Sequence, residues 1–290
     1  MPERVLTALL HFINVAEVRT LFHAGLVTTP ADADSFVALW EASQHKVVPP
    51  AVLAGAGGVQ GLPPELAGRE YAIRNSDQFK NAYQQFAPAF VSVPIADLVA
   101  PQAWADIAYV DELVDSLPAP GDEGALFDYC FAYGRLEAPM LLGINGAVIV
   151  SGRRALGALS PLRIQSATAE KVTFEFDALP RPNWLLLNLI PATGELLVLN
   201  GVHHLLALMR GGRDRAYCLL RQTPVEQVFN FAQEPGIFKP ERLSAPRPPL
   251  LRDYLDNTIG DQVSLRAADQ FMRFGVSNPP EIGVVPQSEV

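Results

Sequence analysis

The sequence predicts a mixed α/β fold, in which helices and strands build one core. Three observations lead to this prediction: a helical spacing of apolar residues near the N-terminus, short strand-like runs over 138–200, and a strand, turn and helix pattern over 194–222. We therefore expect a helical N-terminal region over 1–89, a mixed-sheet core over 90–222 and a proline-rich C-terminal extension over 223–290.

The N-terminal region is predicted to be helical because its apolar residues recur at intervals of three and four. They are Val5, Leu6, Leu9, Leu10, Ile13 and Ala16. Thr29-Pro30 marks the start of a second predicted helix, since proline is favoured in a first turn, and 68–90 is also predicted to be helical. Between them lies GAGG at 55–58. In a dinucleotide-binding fingerprint, a helix would begin at these glycines. Pro63-Pro64 follow them and indicate a loop instead.

The core is predicted to combine strands with a helix. FVSVPI at 90–95 has the β-branched and aromatic composition of a strand. The segment 104–117 places apolar residues on one helical face and acidic residues on the other. Strand-like runs follow over 138–200, and PATG at 191–194 is a natural turn between the last two. We expect those two runs to form a hairpin.

The C-terminal extension is punctuated by proline from Pro224 to Pro286, and regular patterning fades after residue 222. The extension is therefore interpreted as a segment that wraps over the body of the protein or lies on a partner. One short helix is predicted near SLRAADQFMRFG at 264–275, where Gly275 would end it.

Composition narrows the classes of function. Of 290 residues, 49% are hydrophobic, which is enough to bury a core. The 31 acidic and 22 basic residues give a formal charge of −9, which opposes nonspecific binding of nucleic acid. Cys130 and Cys218 lie in apolar runs and are predicted to be buried free thiols, as in a reducing cytoplasm. The sequence predicts neither a transmembrane helix nor a secretory signal.

The residues best placed for chemistry lie in GELLVLNGVHHLLALMRGG at 194–212, where a predicted strand turns into a predicted helix. Gly201 permits a sharp turn and a close approach of the backbone to a ligand. The start of a helix attracts a phosphate or carboxylate. His203 and His204 would add donors there, and Arg213 a fixed charge. Two other interpretations stay open: a structural, hydrogen-bonded histidine pair, or a metal site, for which no third ligand is spaced nearby.

A second stretch, GAVIVSGRRALGAL at 146–159, shares the order of glycine, apolar strand and G-x-x-x-L-x-A-L. Either the unit is duplicated, or a common strand-to-helix unit occurs twice by coincidence. In both cases Arg153 and Arg154 follow the turn and are candidates for a second anion-binding patch.

The segment VLNG-VHH-LLALMRGG-RDRAYCLL resembles the signature of the ParB/sulfiredoxin-like superfamily, and the resemblance extends over about 90–222. It implies a mixed-sheet core that binds a nucleotide or a phosphorylated ligand. Val202 stands where sulfiredoxins have their catalytic cysteine, and His203-His204 stand where ParB proteins have an arginine pair. Sulfinic-acid reduction and chromosome partitioning are therefore disfavoured. The free-serine kinases of this superfamily use a glutamate base, for which Glu112 and Glu195 are candidates.

The expected function is that of a nucleotide- or phosphate-binding ParB-like protein, with nucleotide hydrolysis or phosphotransfer left open. The expected contacts are Gly201, His203, His204 and Arg213, with Arg153 and Arg154 as the second patch. Magnesium would be expected to bridge the phosphates of a bound nucleotide. The alternative is a non-enzymatic interaction or assembly subunit, for which the proline-rich extension is the main support, and a homo-oligomer is one form that such a role would take.

Overall fold

In a computed structural model, the chain forms two compact units, and the first is interrupted in sequence by an inserted segment, residues 134–181. Unit 1 comprises Met1–Tyr133 and Pro182–Ala267, and unit 2 comprises Gly134–Arg181 and Ala268–Val290. The structure describes residues 3–23, 27–29, 32–50, 55–132, 140–144, 147–152, 156–159, 163–167, 172–175, 178–180, 183–228, 236–266 and 270–275.

Strands and helices are interleaved along the described parts of the chain, which confirms the predicted mixed α/β class. The strands are β1 Glu3–Ala8, β2 Val27–Thr29, β3 Gln60–Gly61, β4 Ala89–Pro94, β5 Trp104–Ala105, β6 Met140–Ile144, β7 Ala147–Gly152, β8 Leu156–Leu159, β9 Arg163–Ala167, β10 Val172–Glu175, β11 Ala178–Pro180, β12 Leu186–Leu189, β13 Leu196–Asn200, β14 Arg215–Gln222, β15 Asp261–Arg266 and β16 Gln270–Gly275. The helices are α1 Val15–His23, α2 Ala33–Gln44, α3 Ala67–Asn75, α4 Asp77–Ala82, α5 Ile107–Val114, α6 Glu123–Cys130, α7 Val202–Arg210 and α8 Pro240–Leu243.

Unit 1 contains a five-stranded mixed sheet in the order β13-β12-β14-β4-β3. The pair β12–β14 is parallel and the other pairs are antiparallel. The predicted hairpin is confirmed: β12 and β13 flank the PATG turn, where Gly194 adopts the left-handed conformation that glycine tolerates best. Val93, Leu187, Val198 and Leu219 are fully buried, so this sheet is central to the core of unit 1.

Unit 1 also contains an antiparallel sheet in the order β2-β15-β1-β5, and this sheet corrects two predictions. The first residues form strand β1 and not a helix, because Leu6, Thr7 and Ala8 are buried between β15 and β5. The helix predicted over 264–275 is likewise wrong: β15 and β16 occupy that segment. Strand pairing outweighs the local helical spacing in both places, since β1 pairs with β15 across the two ends of the chain and β16 pairs with β7.

Three helices of unit 1 begin at an aspartate that caps them. Asp32, Asp106 and Asp122 each accept a hydrogen bond from a first-turn amide, at the start of α2, α5 and α6. The helices predicted over 68–90 and 104–117 are confirmed by α3, α4 and α5, and the second predicted helix begins at Ala33, a few residues after Thr29-Pro30. Helix α5 packs against α7, which brings the acidic segment to the candidate site.

Unit 2 is built from antiparallel strand pairs. The strands β16, β7 and β6 form a three-stranded sheet, while β9 pairs with β10 and β8 pairs with β11. Leu156–Leu159 form strand β8 where a duplicated unit would place the start of a helix, so the strand-to-helix unit is not repeated over 146–159. Arg153 and Arg154, the predicted second anion-binding patch, lie outside the described residues.

All three predicted regions contribute strands to unit 1. The ends of the inserted segment are held together in unit 1, where the Asn183 amide donates to the Ala132 carbonyl and the Leu185 amide to the Cys130 carbonyl, each at 3.1 Å. Cys130 and Cys218 are both buried free thiols, which confirms that prediction. No helix in the described parts of the chain has the length and apolarity to cross a membrane.

Candidate functional site

The candidate site begins at the turn between β13 and α7. Gly201 lies there with φ +96° and ψ +21°, in the left-handed region. A Cβ atom at this position would overlap the Leu185 Cδ2 atom, far inside the normal approach of two carbon atoms. The backbone angle therefore favours glycine, and any other residue would also force the buried Leu185 side chain to shift. This arrangement is the local geometry that the sequence motif predicts: a strand that ends at a glycine and passes directly into a helix.

Helix α7 is anchored by an apolar face and opens at its polar first turn. Leu205, Leu206 and Leu208 are fully buried and fix the helix against the sheet. Gly201 has no side chain with which to cap the helix, so first-turn amides must find their acceptors elsewhere. The positive end of the helix dipole is at the same place. His203 and His204 are both half-buried here, so neither imidazole lies wholly in the interior.

His203 connects α7 to α5. Its Nε2 atom accepts a hydrogen bond of 3.1 Å from the Asp106 amide, and its ring centre lies 5.5 Å from that of Tyr109. The Asp106 side chain in turn accepts from the Tyr109 amide at 3.0 Å. This geometry requires a neutral imidazole with its proton on Nδ1. His203 thus supports the start of α5, which agrees with the structural interpretation for this member of the pair.

His204 faces a different group of polar side chains. Its ring centre lies 5.5 Å from the Tyr129 ring, and its Nε2 atom lies 3.3 Å from Asn183 Nδ2. Asn200, the residue before Gly201, donates to the Trp184 carbonyl at 2.8 Å and so fixes the turn to that part of the backbone. We call Asn183, Asn200, His204 and Tyr129 the junction cluster.

Tyr129 carries the unsatisfied polar atom of the junction cluster. Its hydroxyl is buried and has no hydrogen-bond partner among the described residues. Burial raises the pKa of this phenol well above its usual value, with the neighbouring Cys130 thiol as a second cause. The hydroxyl is therefore a neutral donor at any physiological pH. An unpaired buried hydroxyl costs about 1–3 kcal/mol, which an acceptor on a bound ligand would offset.

The predicted arginine contact lies away from the junction cluster. Arg213 donates to the Pro118 and Ala119 carbonyls, both at 2.9 Å, and its neighbour Arg210 pairs with Asp111 at 2.8 Å. Arg210 is the last residue of α7 and Arg213 lies just beyond it, and a nine-residue helix is about 13 Å long. The structure therefore brings Gly201, His203 and His204 together and places Arg213 at the opposite end of the helix.

Neither candidate glutamate is established as a base at the junction. Glu112 is exposed on α5. Glu195 precedes β13, and the six-residue extended path to Gly201 measures about 20 Å. Glu195 is 5% exposed and accepts a hydrogen bond of 2.9 Å from the Thr193 hydroxyl. Burial raises the pKa of Glu195, and the bond from Thr193 opposes this effect only in part.

Replacing Glu195 by glutamine is expected to stabilise the protein above neutral pH by less than about 1 kcal/mol. A carboxyl group whose folded pKa is raised stabilises the fold while it is protonated, and this contribution is lost as pH rises from 4.5 through the folded value. Glutamine removes the ionisation and keeps an acceptor for Thr193. Thermal unfolding of both proteins at pH 4 and pH 8 checks this, and an equal difference at the two values would contradict it.

A cavity of about 740 Å³ lies in unit 1 near the C-terminal end of α7, where Met209, Arg247, Asp253 and Thr258 are among its lining residues. It does not include the junction cluster. Its Arg247 guanidinium is already paired with Asp253 at 2.7 Å, so the cavity presents no unpaired cation from this residue. The cavity and the polar groups at the turn before α7 thus lie at different places. The turn is the better candidate for a ligand site, because unsatisfied polar groups indicate a ligand more directly than volume does.

The described residues contain no cluster of three or more histidine, cysteine or acidic side chains that could hold a metal ion. Comparisons of the chain with protein-family models, with curated proteins and with solved structures found no match. Sequence reasoning identified Gly201 and the histidines but missed Tyr129 and Asn183. The run FDYCFAY at 127–133 was considered only for the burial of its cysteine, although a tyrosine in an apolar run signals a buried hydroxyl that needs a partner.

Proposed function

We propose that this protein binds a nucleotide or another phosphorylated ligand at the junction cluster, as a ParB/sulfiredoxin-like protein. The observation that carries the proposal is the left-handed glycine between β13 and α7, beside a half-buried imidazole and a buried hydroxyl that has no partner in the described parts of the chain. Helix starts that follow a strand and a glycine turn are well suited to bind phosphate, since the backbone approaches closely and the dipole favours negative charge.

In the proposed complex, each group has a distinct task. Gly201 lets the backbone approach the ligand, and the helix dipole stabilises the phosphate charge. Tyr129 donates its hydroxyl hydrogen to a ligand oxygen, and His204 supplies a second donor. His203 holds α5 in place and contacts the ligand less directly. Magnesium would accompany a bound nucleotide, and the protein would act in the cytoplasm. Hydrolysis or phosphotransfer would also need a general base, and the proposal leaves that activity open.

A thermal-shift measurement with a panel of nucleotides, with and without magnesium, tests the proposal. A ligand present at 100 times its dissociation constant stabilises the folded state by about 2.7 kcal/mol, which corresponds to roughly 5–10 °C for a unit of this size. We expect His204→Ala and Tyr129→Phe each to lower the affinity for the ligand at least tenfold and therefore to reduce the thermal shift. His203→Gln keeps an acceptor for the Asp106 amide, so this variant is expected to retain more of the thermal shift than His204→Ala or Tyr129→Phe.

His45→Ala serves as the matched control, because His45 is an exposed histidine after the end of α2 and lies outside the junction cluster. Its ligand response should equal that of the unaltered protein. No shift at millimolar nucleotide, together with an oligomer whose size depends on protein concentration in light scattering, would contradict the proposal and favour the alternative of an assembly subunit.

A further inference from the structure

Arg221, at the end of β14, differs from the other half-buried arginines of unit 1. Arg247 pairs with a carboxylate, and Arg213 and Arg215 donate to backbone carbonyls. Arg221 is half-buried, but no hydrogen bond or ion pair joins it to any described residue. Its Nε atom is withdrawn from solvent and has no acceptor among the residues that the structure describes. Burial also lowers the pKa of the guanidinium, the direction expected for a desolvated cation, although arginine stays charged.

A second unsatisfied atom lies on the neighbouring strand. Asn188 is directly paired with Arg221 in the parallel register of β12 and β14. It is 0% exposed, and its amide nitrogen donates to the Leu189 and Thr223 carbonyls at 3.1 and 2.8 Å. Its Oδ1 atom has no partner among the described residues. Buried polar atoms are nearly always paired, so two unsatisfied ones at a single register position indicate a place where the fold alone is incomplete.

The backbone next to Arg221 is held in a costly conformation. Ala87 has φ +44° and ψ +49°, the left-handed region, and is the one non-glycine residue with positive φ in the described parts of the chain. This turn presents Phe86, whose ring centre lies 4.9 Å from the Arg221 guanidinium carbon. Phe86 is nevertheless 44% exposed. Strain of this kind persists where the surrounding structure imposes it, and such positions cluster at functional sites.

We propose that Arg221 and Phe86 form a docking site for a carboxylate side chain, flanked by an apolar residue, on a protein partner. The guanidinium fork matches a planar carboxylate through two parallel hydrogen bonds, and Phe86 holds the fork flat through a cation–π contact. Arginine beside an exposed aromatic ring is typical of the residues that contribute most to protein–protein binding. The formal charge of −9 favours a singly charged carboxylate over a doubly charged phosphate at long range.

The test follows the Nε–Hε signal of Arg221 by NMR in the full chain labelled with ¹⁵N, with the signal assigned through its loss in Arg221→Lys. The probes are the capped peptides acetyl-Leu-Glu-Leu-amide and acetyl-Leu-Gln-Leu-amide, and inorganic phosphate, at matched ionic strength. We expect the glutamate peptide to shift the signal saturably, with a dissociation constant of about 1 mM. The glutamine peptide should bind at least tenfold more weakly. Phe86→Ala should weaken binding severalfold, and Arg242→Gln, at an exposed arginine of α8, should leave it unchanged.

Thermal unfolding of the free protein separates docking from a role in the fold. If Arg221 serves a partner, Arg221→Met removes an unpaired buried charge and should leave the melting temperature unchanged or raise it. A melting temperature lowered by several degrees would assign Arg221 to the fold and overturn the proposal. The absence of a saturable shift, an equal response to both peptides, or saturation by phosphate but not by the glutamate peptide would each overturn it as well. The site shares no residue with the junction cluster, so its failure leaves the proposed nucleotide binding intact.

Discussion

Replacing Asp253 by alanine is expected to lower the free energy of unfolding by about 3–5 kcal/mol. Asp253 is 1% exposed, and its carboxylate accepts hydrogen bonds from Arg247 Nη2 at 2.7 Å, from Arg247 Nη1 at 3.0 Å and from the Leu250 amide at 2.8 Å. Alanine would leave the Arg247 guanidinium without a counter-charge in a site where it is only 19% exposed. Urea unfolding followed by circular dichroism measures the loss.

The loss should be large because Arg247 cannot move into solvent without breaking further contacts. Its Nε atom donates to the Pro49 carbonyl at 2.9 Å, and its guanidinium lies 5.6 Å from the centre of the Phe12 ring. The pair thus joins three segments of unit 1 that are distant in sequence. Removal of one partner of such a buried pair costs more than the pair itself contributes, since the remaining charge is desolvated and unpaired.

Asp111→Ala is the matched control for this prediction. Asp111 pairs with Arg210 at 2.8 Å, and both side chains are about half exposed, so the expected loss is below about 1 kcal/mol. The double variant Arg247→Met and Asp253→Leu should recover most of the stability lost in Asp253→Ala, because it removes both charges. Equal losses for Asp253→Ala and Asp111→Ala would contradict the argument that burial sets the cost.

The parts of the fold that the sequence predicted correctly are those set by local chemistry. The hairpin over β12 and β13 was predicted from its turn, and the helix α7 from the glycine before it, because Gly194 and Gly201 impose backbone angles on their own neighbours. Strand β1 was not predicted, since Leu6 and Leu9 fit a helical spacing equally well. Only pairing with β15, from the other end of the chain, decides between the two structures, and no local pattern contains that information.

At the candidate site too, local sequence predicted some features and long-range packing determines the others. His203 and His204 were identified from their position in the motif, but their different roles depend on partners that are distant in sequence. Asp106 engages His203 because α5 packs on α7. Tyr129 and Asn183 both contact His204 because the Asn183 amide donates a hydrogen bond to the Ala132 carbonyl, which brings the two chain segments together. Contacts that depend on long-range packing were beyond the reach of sequence spacing.

Gly201→Ala is expected to destabilise the protein by about 2–5 kcal/mol and to abolish the nucleotide response at the same time. The left-handed backbone angle costs a residue with a Cβ atom about 1–2 kcal/mol. The new methyl group also collides with Leu185, which is fully buried and must shift within a packed core at a cost of about 1–3 kcal/mol. Urea unfolding measures the first effect, and a thermal shift with nucleotide measures the second.

Gly212→Ala separates the two causes of this loss. Gly212 has φ +77°, a left-handed angle as well, but a Cβ atom there would meet no atom within 4 Å. Its replacement should therefore cost only the backbone term, about 1–2 kcal/mol. The double variant Gly201→Ala and Leu185→Ala should lose less than the sum of the two single changes, because the smaller side chain removes the collision. Equal destabilisation by Gly201→Ala and Gly212→Ala would contradict a role for the packing against Leu185. The preference for glycine at position 201 would then come from the backbone angle alone.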